Sequence, residues 1–390
     1  FILSKKKDRE AWVEPIVDDT AISYQVRQGS CPLEGTVNRK GARCICCGAN
    51  VPFEYIRQEG QAGRLGSALM AVVAEGQNRR IYLNADEEQL KAADVVRPDD
   101  IPNTDLPEKA LGFGTQIYGM VKHYQLFTNR QLTALMAFSQ LVQEAQQQAE
   151  IDALEAGWED DKVPLNKGGA GALAYSQAIS VYLAFLIDKL ADRNSSITSW
   201  DNSRDGISHT FTRQAIAMNW NYAESNPFSS SSGCFDNMLE WITKCLLALP
   251  AEAFGEAKQW NAQSDCSLRQ IMISTDPPYY DNIGYADLAD YFYIWLRQSL
   301  RSVYPELFRT MVVPKAEELI SASYRHENDK DKAKEFFEEG MLQACHQLYQ
   351  YASDKLPVTV YYAYKQSETK EQAGQKVTSS SGWETMLSAI

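Results

Sequence analysis

The sequence predicts a mixed α/β fold, in which a partial Rossmann-like sheet is joined to a helical insert and a small β-rich module. Apolar runs at residues 271–275 and 357–364 are separated by helical patterns, the order expected of a β-α-β unit with parallel strands. Apolar stripes at helical spacing occupy residues 128–193. Short strand-like runs and turn residues occupy residues 1–97.

Helical periodicity and turn residues place the individual elements in chain order. Thr128 is a suitable N-cap for the first long helix, because a threonine hydroxyl can accept a hydrogen bond from a free N–H of the first turn. The predicted helices cover residues 85–93, 128–157, 171–193, 234–249, 288–302 and 330–351, and a short helix is expected around Trp383. The predicted strands cover residues 1–4, 12–17, 22–26, 81–83, 271–275 and 357–364.

A Pro- and Asp-rich stretch at residues 96–108 predicts a domain boundary. We therefore expect three domains, a β-rich module over residues 1–97, a mostly helical insert over residues 98–265, and a sheet-containing domain over residues 266–390. We interpret the apolar stripes of the helical insert as buried core and not as a cofactor site, because stripes at this spacing are ordinarily buried.

Composition narrows the class of protein. The chain has 390 residues and a net charge of −13, and this acidity argues against tight non-specific binding of nucleic acid unless one face is locally basic. No apolar run is long enough to span a bilayer and no signal peptide is evident, so we expect a cytoplasmic protein without a membrane partner. Eight irregularly spaced cysteines favour reduced thiols and at most one metal site over a disulfide scaffold.

The motif that carries the chemistry is Asp276-Pro277-Pro278-Tyr279. Two prolines stop the preceding strand, so the motif lies on a loop at the carboxyl end of a strand, where ligands bind in open α/β sheets. A turn without catalytic function is the simpler alternative. In this setting the motif resembles the catalytic loop of the amino-methyltransferases, which methylate exocyclic amino groups of nucleic-acid bases.

The longer segment, residues 276–297, resembles the large prokaryotic adenine-specific DNA methylases that contain a zinc ribbon. The resemblance extends to residues 35–39, 44–48, 214–218, 313–319 and 361–369. It implies methyl transfer from S-adenosylmethionine to the N6 amine of adenine in DNA. The Asp276 carboxylate and the Pro277 carbonyl would each accept an amine N–H, Pro278 would help to hold that carbonyl rigid, and Tyr279 would stack on the flipped base.

Other substrates and another class of protein stay open. Methylation of cytosine N4 is the nearest alternative, although serine is more usual there at the position of Asp276, and an RNA substrate is a further one. A non-catalytic zinc-ribbon scaffold or nucleic-acid-binding protein is disfavoured because Asp276 and Tyr279 are both present. The resemblance implies DNA as a partner and suits a restriction or phage-defence system, with residues 1–265 recognising the target.

Cys44 and Cys47, followed by Gly48, have the spacing of half a zinc knuckle. A structural zinc site needs four ligands, and although Cys31 or Cys46 could supply a third, no histidine is near. In the family the second knuckle lies upstream of residue 1. Zinc binding by half a ribbon and a set of free buried cysteines are both compatible with this pattern.

Arg39, Lys40, Arg57 and Arg64 form the most basic neighbourhood of the sequence and are candidate contacts to DNA phosphates or base edges. A solvated turn followed by a helix explains them equally well. Lys365 and Gln366, at the end of the second predicted strand, are either substrate contacts or turn caps.

A glycine-rich cofactor loop, with an acidic residue for the ribose, is not evident. Gly112-Phe113-Gly114 has two glycines but lacks the required acidic residue, so we interpret it as a turn. Family members carry the cofactor motif upstream of residue 1 and continue beyond both ends. We therefore expect an internal fragment with the amine-binding half of the site, weak S-adenosylmethionine binding and no activity in isolation.

Overall fold

The computed structural model describes residues 1–77, 79–231, 233–249, 255–281, 283–362 and 387, and the backbone of residues 368–372 and 375–379. Lys365, Gln366 and the helix expected around Trp383 lie outside the described residues. Over the described ranges the fold is α/β, with seven α-helices and several small sheets and no barrel.

The chain forms two compact units. The first consists of Phe1–Glu108, Phe113–Leu249 and Tyr291–Val312, and the second of Lys109–Gly112, Pro250–Asp290 and Val313–Ile390. The predicted β-rich module and most of the predicted helical insert therefore lie in one unit. The Pro-rich stretch between them is packed, since Leu106 is buried and its N–H donates to the Val121 carbonyl at 2.8 Å.

The first unit begins with small antiparallel sheets. Its elements up to the first long helix are β1 (Ile2–Ser4), β2 (Ala11–Asp18), β3 (Ala21–Gln28), β4 (Val37–Asn38), β5 (Gly41–Arg43), β6 (Asn50–Val51), α1 (Phe53–Gln61), β7 (Val72–Glu75), β8 (Arg80–Leu83) and α2 (Glu87–Ala93). The sheet orders are β1-β2-β3, β4-β5-β6 and β7-β8. Leu3, Ala11, Val13 and Tyr82 form a buried apolar cluster that joins the first and third of these sheets.

Helices dominate the rest of the first unit. They are α3 (Asn129–Glu155), α4 (Ala172–Arg193) and α5 (Phe235–Ala248), with the hairpin β9 (Trp200–Asp201) and β10 (Gly206–Ile207) between the last two. The predicted N-cap is confirmed, because the Thr128 side chain accepts a hydrogen bond from the Gln131 N–H. Helices α3 and α4 pack together through buried apolar faces, as their periodicity predicts.

The second unit contains the predicted β-α-β order. Its elements are β11 (Ser274–Thr275), α6 (Tyr285–Leu300), whose last turns belong to the first unit, α7 (Lys330–Tyr351), β12 (Thr359–Val360), β13 (Glu368–Gln372) and β14 (Gln375–Ser379). Strands β11 and β12 are parallel, and β13 and β14 form an antiparallel hairpin. The described parallel pair is shorter than the predicted strands, and two parallel strands are fewer than a Rossmann-like sheet contains.

Candidate functional site

The predicted catalytic loop follows directly from a parallel strand. Ser274 pairs with Thr359 and Thr275 with Val360, and the Tyr361 N–H donates to the Thr275 carbonyl at 2.8 Å. Asp276 is the next residue and is exposed. The motif therefore begins at the carboxyl end of a parallel strand, where the sequence predicts it.

The far end of the loop is anchored to neighbouring chain. Tyr280 has a φ of 52°, a backbone conformation that is uncommon for residues other than glycine. Its carbonyl accepts the Ser321 N–H at 2.9 Å, and its ring meets that of Phe337 edge-on at 5.2 Å. Because Phe337 is fully buried in a cluster with Leu319 and Met341, these contacts hold Tyr280 in its unusual conformation.

Tyr279 connects the start of the loop to the second strand of the parallel pair. Its ring lies edge-on to the Tyr362 ring, with the centroids 5.6 Å apart and the planes at 87°. Its hydroxyl interacts with the Asp276 carboxylate, and this interaction, together with burial, raises the pKa of Tyr279. At neutral pH Tyr279 is therefore a neutral hydrogen-bond donor beside the side chain of Asp276.

A buried ionic network fixes the beginning of α6, immediately after the loop. Asp287 is 1% exposed, and its Oδ2 accepts hydrogen bonds from Arg325 Nη2 at 2.8 Å and from the Tyr324 hydroxyl at 2.9 Å. Burial, with Asp287 adding to it, raises the pKa of Tyr324 to about 12. Gly284 lies against this network, since a Cβ there would be 3.1 Å from Asp287 Oδ2.

The same network reaches the backbone of α6. Arg325 Nη1 donates to Glu318 Oε2 at 2.7 Å, and Glu318 Oε1 accepts the Ala286 N–H at 3.0 Å. The Glu318 carboxylate thus satisfies one free N–H of the first helical turn, where negative charge is favourable.

A second ion pair holds α6 one turn further along. Asp290 is 1% exposed and accepts from Lys315 Nζ and from the Val313 N–H, each at 2.7 Å. Together, these pairs fix the start of the helix that follows the predicted catalytic loop. The sequence contained one signal for them, two acidic residues three positions apart in the first turns of a helix whose centre is apolar.

The loop has the groups needed to hold an amino group beside a flat ring. An exposed carboxylate oxygen of Asp276 can accept an N–H, and so can a backbone carbonyl within the rigid Pro277-Pro278 turn. The half-buried Tyr279 supplies an aromatic surface next to these acceptors. This combination suits a planar, amino-bearing ligand such as a nucleobase.

Cys44 and Cys47 lie on the turn between β5 and β6. The Gly48 N–H donates to the Cys44 carbonyl at 2.9 Å, and Gly48 has a φ of 73°, which glycine adopts readily. The Cys47 N–H, with that of Cys46, lowers the pKa of the Cys44 thiol. However, no group of three or more His, Cys, Asp or Glu side chains suited to a metal occurs in the described part of the chain. These residues therefore do not fit a four-ligand zinc site, and we derive no step from zinc.

The four residues predicted to contact DNA lie in the first unit, and two of them are already paired with carboxylates. Arg39 and Lys40 are exposed on the turn between β4 and β5. Arg64 donates two hydrogen bonds to Glu59, at 2.7 and 2.8 Å, and Arg57 lies 3.8 Å from Glu54. Carboxylates already pair with the two arginines, whereas Arg39 and Lys40 form no ion pair with any residue that the structure describes.

Within the described ranges, every helix is too short or too polar to cross a membrane. No family model, curated protein or solved structure matches this chain.

Proposed function

We propose that this protein is an S-adenosylmethionine-dependent methyltransferase that modifies the N6 amine of adenine in DNA. The observation that carries the proposal is the placement of Asp276 and Tyr279, an exposed carboxylate and a tyrosine whose hydroxyl interacts with it, at the carboxyl end of a parallel strand. Under this proposal, the strand belongs to a Rossmann-like sheet, in which that edge binds the ligands.

The adenine amine is a weak nucleophile, and the protein must orient it for reaction. The lone pair of an adenine N6 amine is delocalised into the ring, which makes the nitrogen a weak nucleophile. Hydrogen bonds from the two N–H groups to the Asp276 carboxylate and the Pro277 carbonyl draw the nitrogen towards tetrahedral geometry and direct its lone pair outward. The contribution of the protein is orientation and electrostatic stabilisation of the positive charge that develops on nitrogen.

Tyr279 has two roles in this scheme. Its ring stacks on the base once the base leaves the duplex, and its hydroxyl orients the Asp276 carboxylate. The anchored Tyr280 and the ionic network at Asp287 keep the loop from reorganising when the base enters.

S-adenosylmethionine is the proposed methyl donor, and its chemistry is to present a methyl group on a sulfonium. Within the described residues, β11 leads into the proline-rich loop and not into a glycine-rich turn, and no such turn follows β12 before residue 362. The described residues therefore lack the turn that would hold S-adenosylmethionine. We assign to this chain only the part of the active site that binds the amino group of the base.

A methylation assay on the full-length protein tests the proposal. Labelled S-adenosylmethionine is incubated with duplex DNA, and the nucleosides are identified by mass spectrometry. N6-methyladenine, absent with an Asp276→Ala variant, is the expected result. N4-methylcytosine, or label in RNA alone, would replace the substrate, whereas no transfer with donor binding intact would refute the enzymatic function and favour a scaffold.

A further inference from the structure

Three loops of the first unit bring basic side chains into one open cavity of about 380 Å³. The β1–β2 connection supplies Lys6 and Arg9, the β7–β8 hairpin supplies Arg79 and Arg80, and the β9–β10 hairpin supplies Arg204. These residues are far apart in sequence, and only the fold collects them. They are distinct from the four basic residues that the sequence indicated.

The convergence of the loops has a structural cause. The Trp200 indole N–H donates to the Leu3 carbonyl at 2.6 Å, and the Lys5 N–H donates to the Asn202 carbonyl at 2.9 Å, so the β9–β10 hairpin is tied to the β1–β2 connection. Tyr82 of β8 is buried in the same apolar cluster as Leu3. The three loops therefore extend from one shared core.

A backbone hydrogen bond between Gly76 and Arg79 closes the β7–β8 hairpin at its arginines. The Gly76 N–H donates to the Arg79 carbonyl at 2.7 Å, and a Cβ on Gly76 would lie 2.8 Å from that oxygen. A glycine is thus required at this close approach, and the turn holds Arg79 and Arg80 at the edge of the cavity.

The cavity has a clear excess of positive charge. Five cationic side chains line it, against two carboxylates, Glu75 and Asp205. Asp205 is 1% exposed and pairs with Lys6 at 3.0 Å, while Glu75 accepts a hydrogen bond from the Ser230 hydroxyl. Over the described residues, no carboxylate forms an ion pair with Arg9, Arg79 or Arg80. This local excess occurs in a chain whose net charge is −13.

Folding does not explain this arrangement. Like charges gathered in one cavity repel each other, and an anion that fills the cavity relieves the repulsion. Elsewhere in the first unit arginines meet carboxylates, as Arg27 meets Glu14 at 2.6 Å and Arg64 meets Glu59 at 2.7 Å. In the cavity, Arg204 lies 3.6 Å from Asp201, whereas Arg9, Arg79 and Arg80 have no such partner among the described residues and their donors are available for an external anion.

We propose that this cavity binds phosphodiester groups of a nucleic-acid backbone. Arginine presents paired N–H donors that match two phosphate oxygens, and basic side chains on loops are the usual contacts to the backbone. Cations contributed by three separate loops suit a polyanion with successive phosphates better than a single small anion. That the polyanion is DNA rests on the proposed function. The phosphate contacts supply position and affinity but no sequence preference.

The test compares two double variants of the full-length protein, both in an Asp276→Ala background without methyl donor. Arg9→Gln with Arg79→Gln removes two charges from the cavity that form no ion pair with a carboxylate among the described residues. Arg27→Gln with Lys334→Gln removes the same charge from exposed residues that already face carboxylates. Circular dichroism confirms that each variant is folded. Binding of labelled duplex DNA is followed by fluorescence anisotropy from 50 to 200 mM salt.

We expect the cavity variant to reduce the slope of log affinity against log salt by about 1.8, since each phosphate contact contributes roughly 0.9. Its affinity should fall by about tenfold or more, the effect of losing a charged hydrogen bond. The charge-matched control should keep the slope of the parent.

Equal slopes in the two variants, or no binding of DNA by the parent, would overturn the proposal. A loss confined to inorganic phosphate or pyrophosphate would overturn it in favour of a small-anion site, and a change on RNA alone would overturn the DNA assignment. If the wild-type protein methylates DNA in the assay above but the slope is unchanged in the cavity variant, only the cavity proposal is refuted. If the slope changes as expected but the wild-type protein transfers no methyl group, only the proposed function is refuted.

Discussion

The Tyr279 hydroxyl interacts with the carboxylate of Asp276 across the two intervening prolines, and this interaction is the main cause of the raised pKa of Tyr279. The charge of Asp276 and the titration of Tyr279 are therefore linked. Under the proposed function, this interaction favours one orientation of the acceptor before a base arrives, which lowers the cost of organising the site during the reaction.

Replacing Asp276 should eliminate methyl transfer without eliminating DNA binding. Asp276→Ala removes the carboxylate acceptor, and removing a single electrostatic group of this kind typically costs about 10²–10³ in kcat. Single-turnover methylation and anisotropy on the same oligonucleotide separate the two effects. Glu14→Ala, which removes a carboxylate from the first unit, is the control; retained transfer by Asp276→Ala would refute the assignment.

Two substitutions at Tyr279 separate the ring from the hydroxyl. Tyr279→Phe keeps the stacking surface and should lower kcat more than it changes affinity for a flipped base, because only the orientation of Asp276 is lost. Tyr279→Ala should also weaken binding by about 1–3 kcal/mol, the usual value for one stacked base. A 2-aminopurine fluorescence titration measures base capture. Equal capture by the Phe and Ala variants would exclude stacking.

Breaking the ionic network at the start of α6 should destabilise the second unit. Arg325→Met leaves Asp287 charged and buried, and loss of one partner of a buried pair costs about 3–5 kcal/mol. Urea unfolding measures this change. Lys332→Met is a matched control, because it removes an exposed ion pair with Glu327 that is worth about 0–1 kcal/mol. Similar losses in the two variants would contradict a structural role for the network.

The pH dependence of stability should contain a component from Asp265. Hydrogen bonds from Arg269 and from the Ser267 N–H lower the pKa of Asp265 from 3.8 to about 2. Since the folded pKa lies below the unfolded one, the stabilisation is present above pH 3.8 and is lost as the pH falls towards 2. Thermal unfolding between pH 5 and 2.5 should show a smaller decrease for Asp265→Asn than for the wild type. Asp354→Asn, at an exposed carboxylate, should behave as the wild type.

Local signals explain why the long helices were predictable. The apolar stripes of α3 and α4, and the hydroxyl cap at Thr128, act within one or two turns, so the sequence gives their ends to within about two residues. The strand before Asp276 was predictable for a similar reason, because Pro277 and Pro278 prevent it from continuing.

Long-range pairing explains what could not be predicted. The contacts of Asp287 with Arg325 and of Asp290 with Lys315 join positions that no local pattern relates. The strands of the β9–β10 hairpin are two residues long, too short to show periodicity. Composition predicts a domain boundary at the Pro-rich stretch, and it does not reveal that Leu106 within the stretch is buried.

The parallel pairing of β11 with β12 can form only late in synthesis. Helices α6 and α7 both lie between these strands in the chain, so on the ribosome the strand before Asp276 emerges long before its partner. Parallel pairings of this kind close late in folding because a long loop must be ordered first. Until Tyr361 has left the exit tunnel, the carbonyls of Ile273 and Thr275 lack the N–H donors of Thr359 and Tyr361. The loop that follows β11 then has no neighbouring strand. This interval is when a chaperone would be needed most.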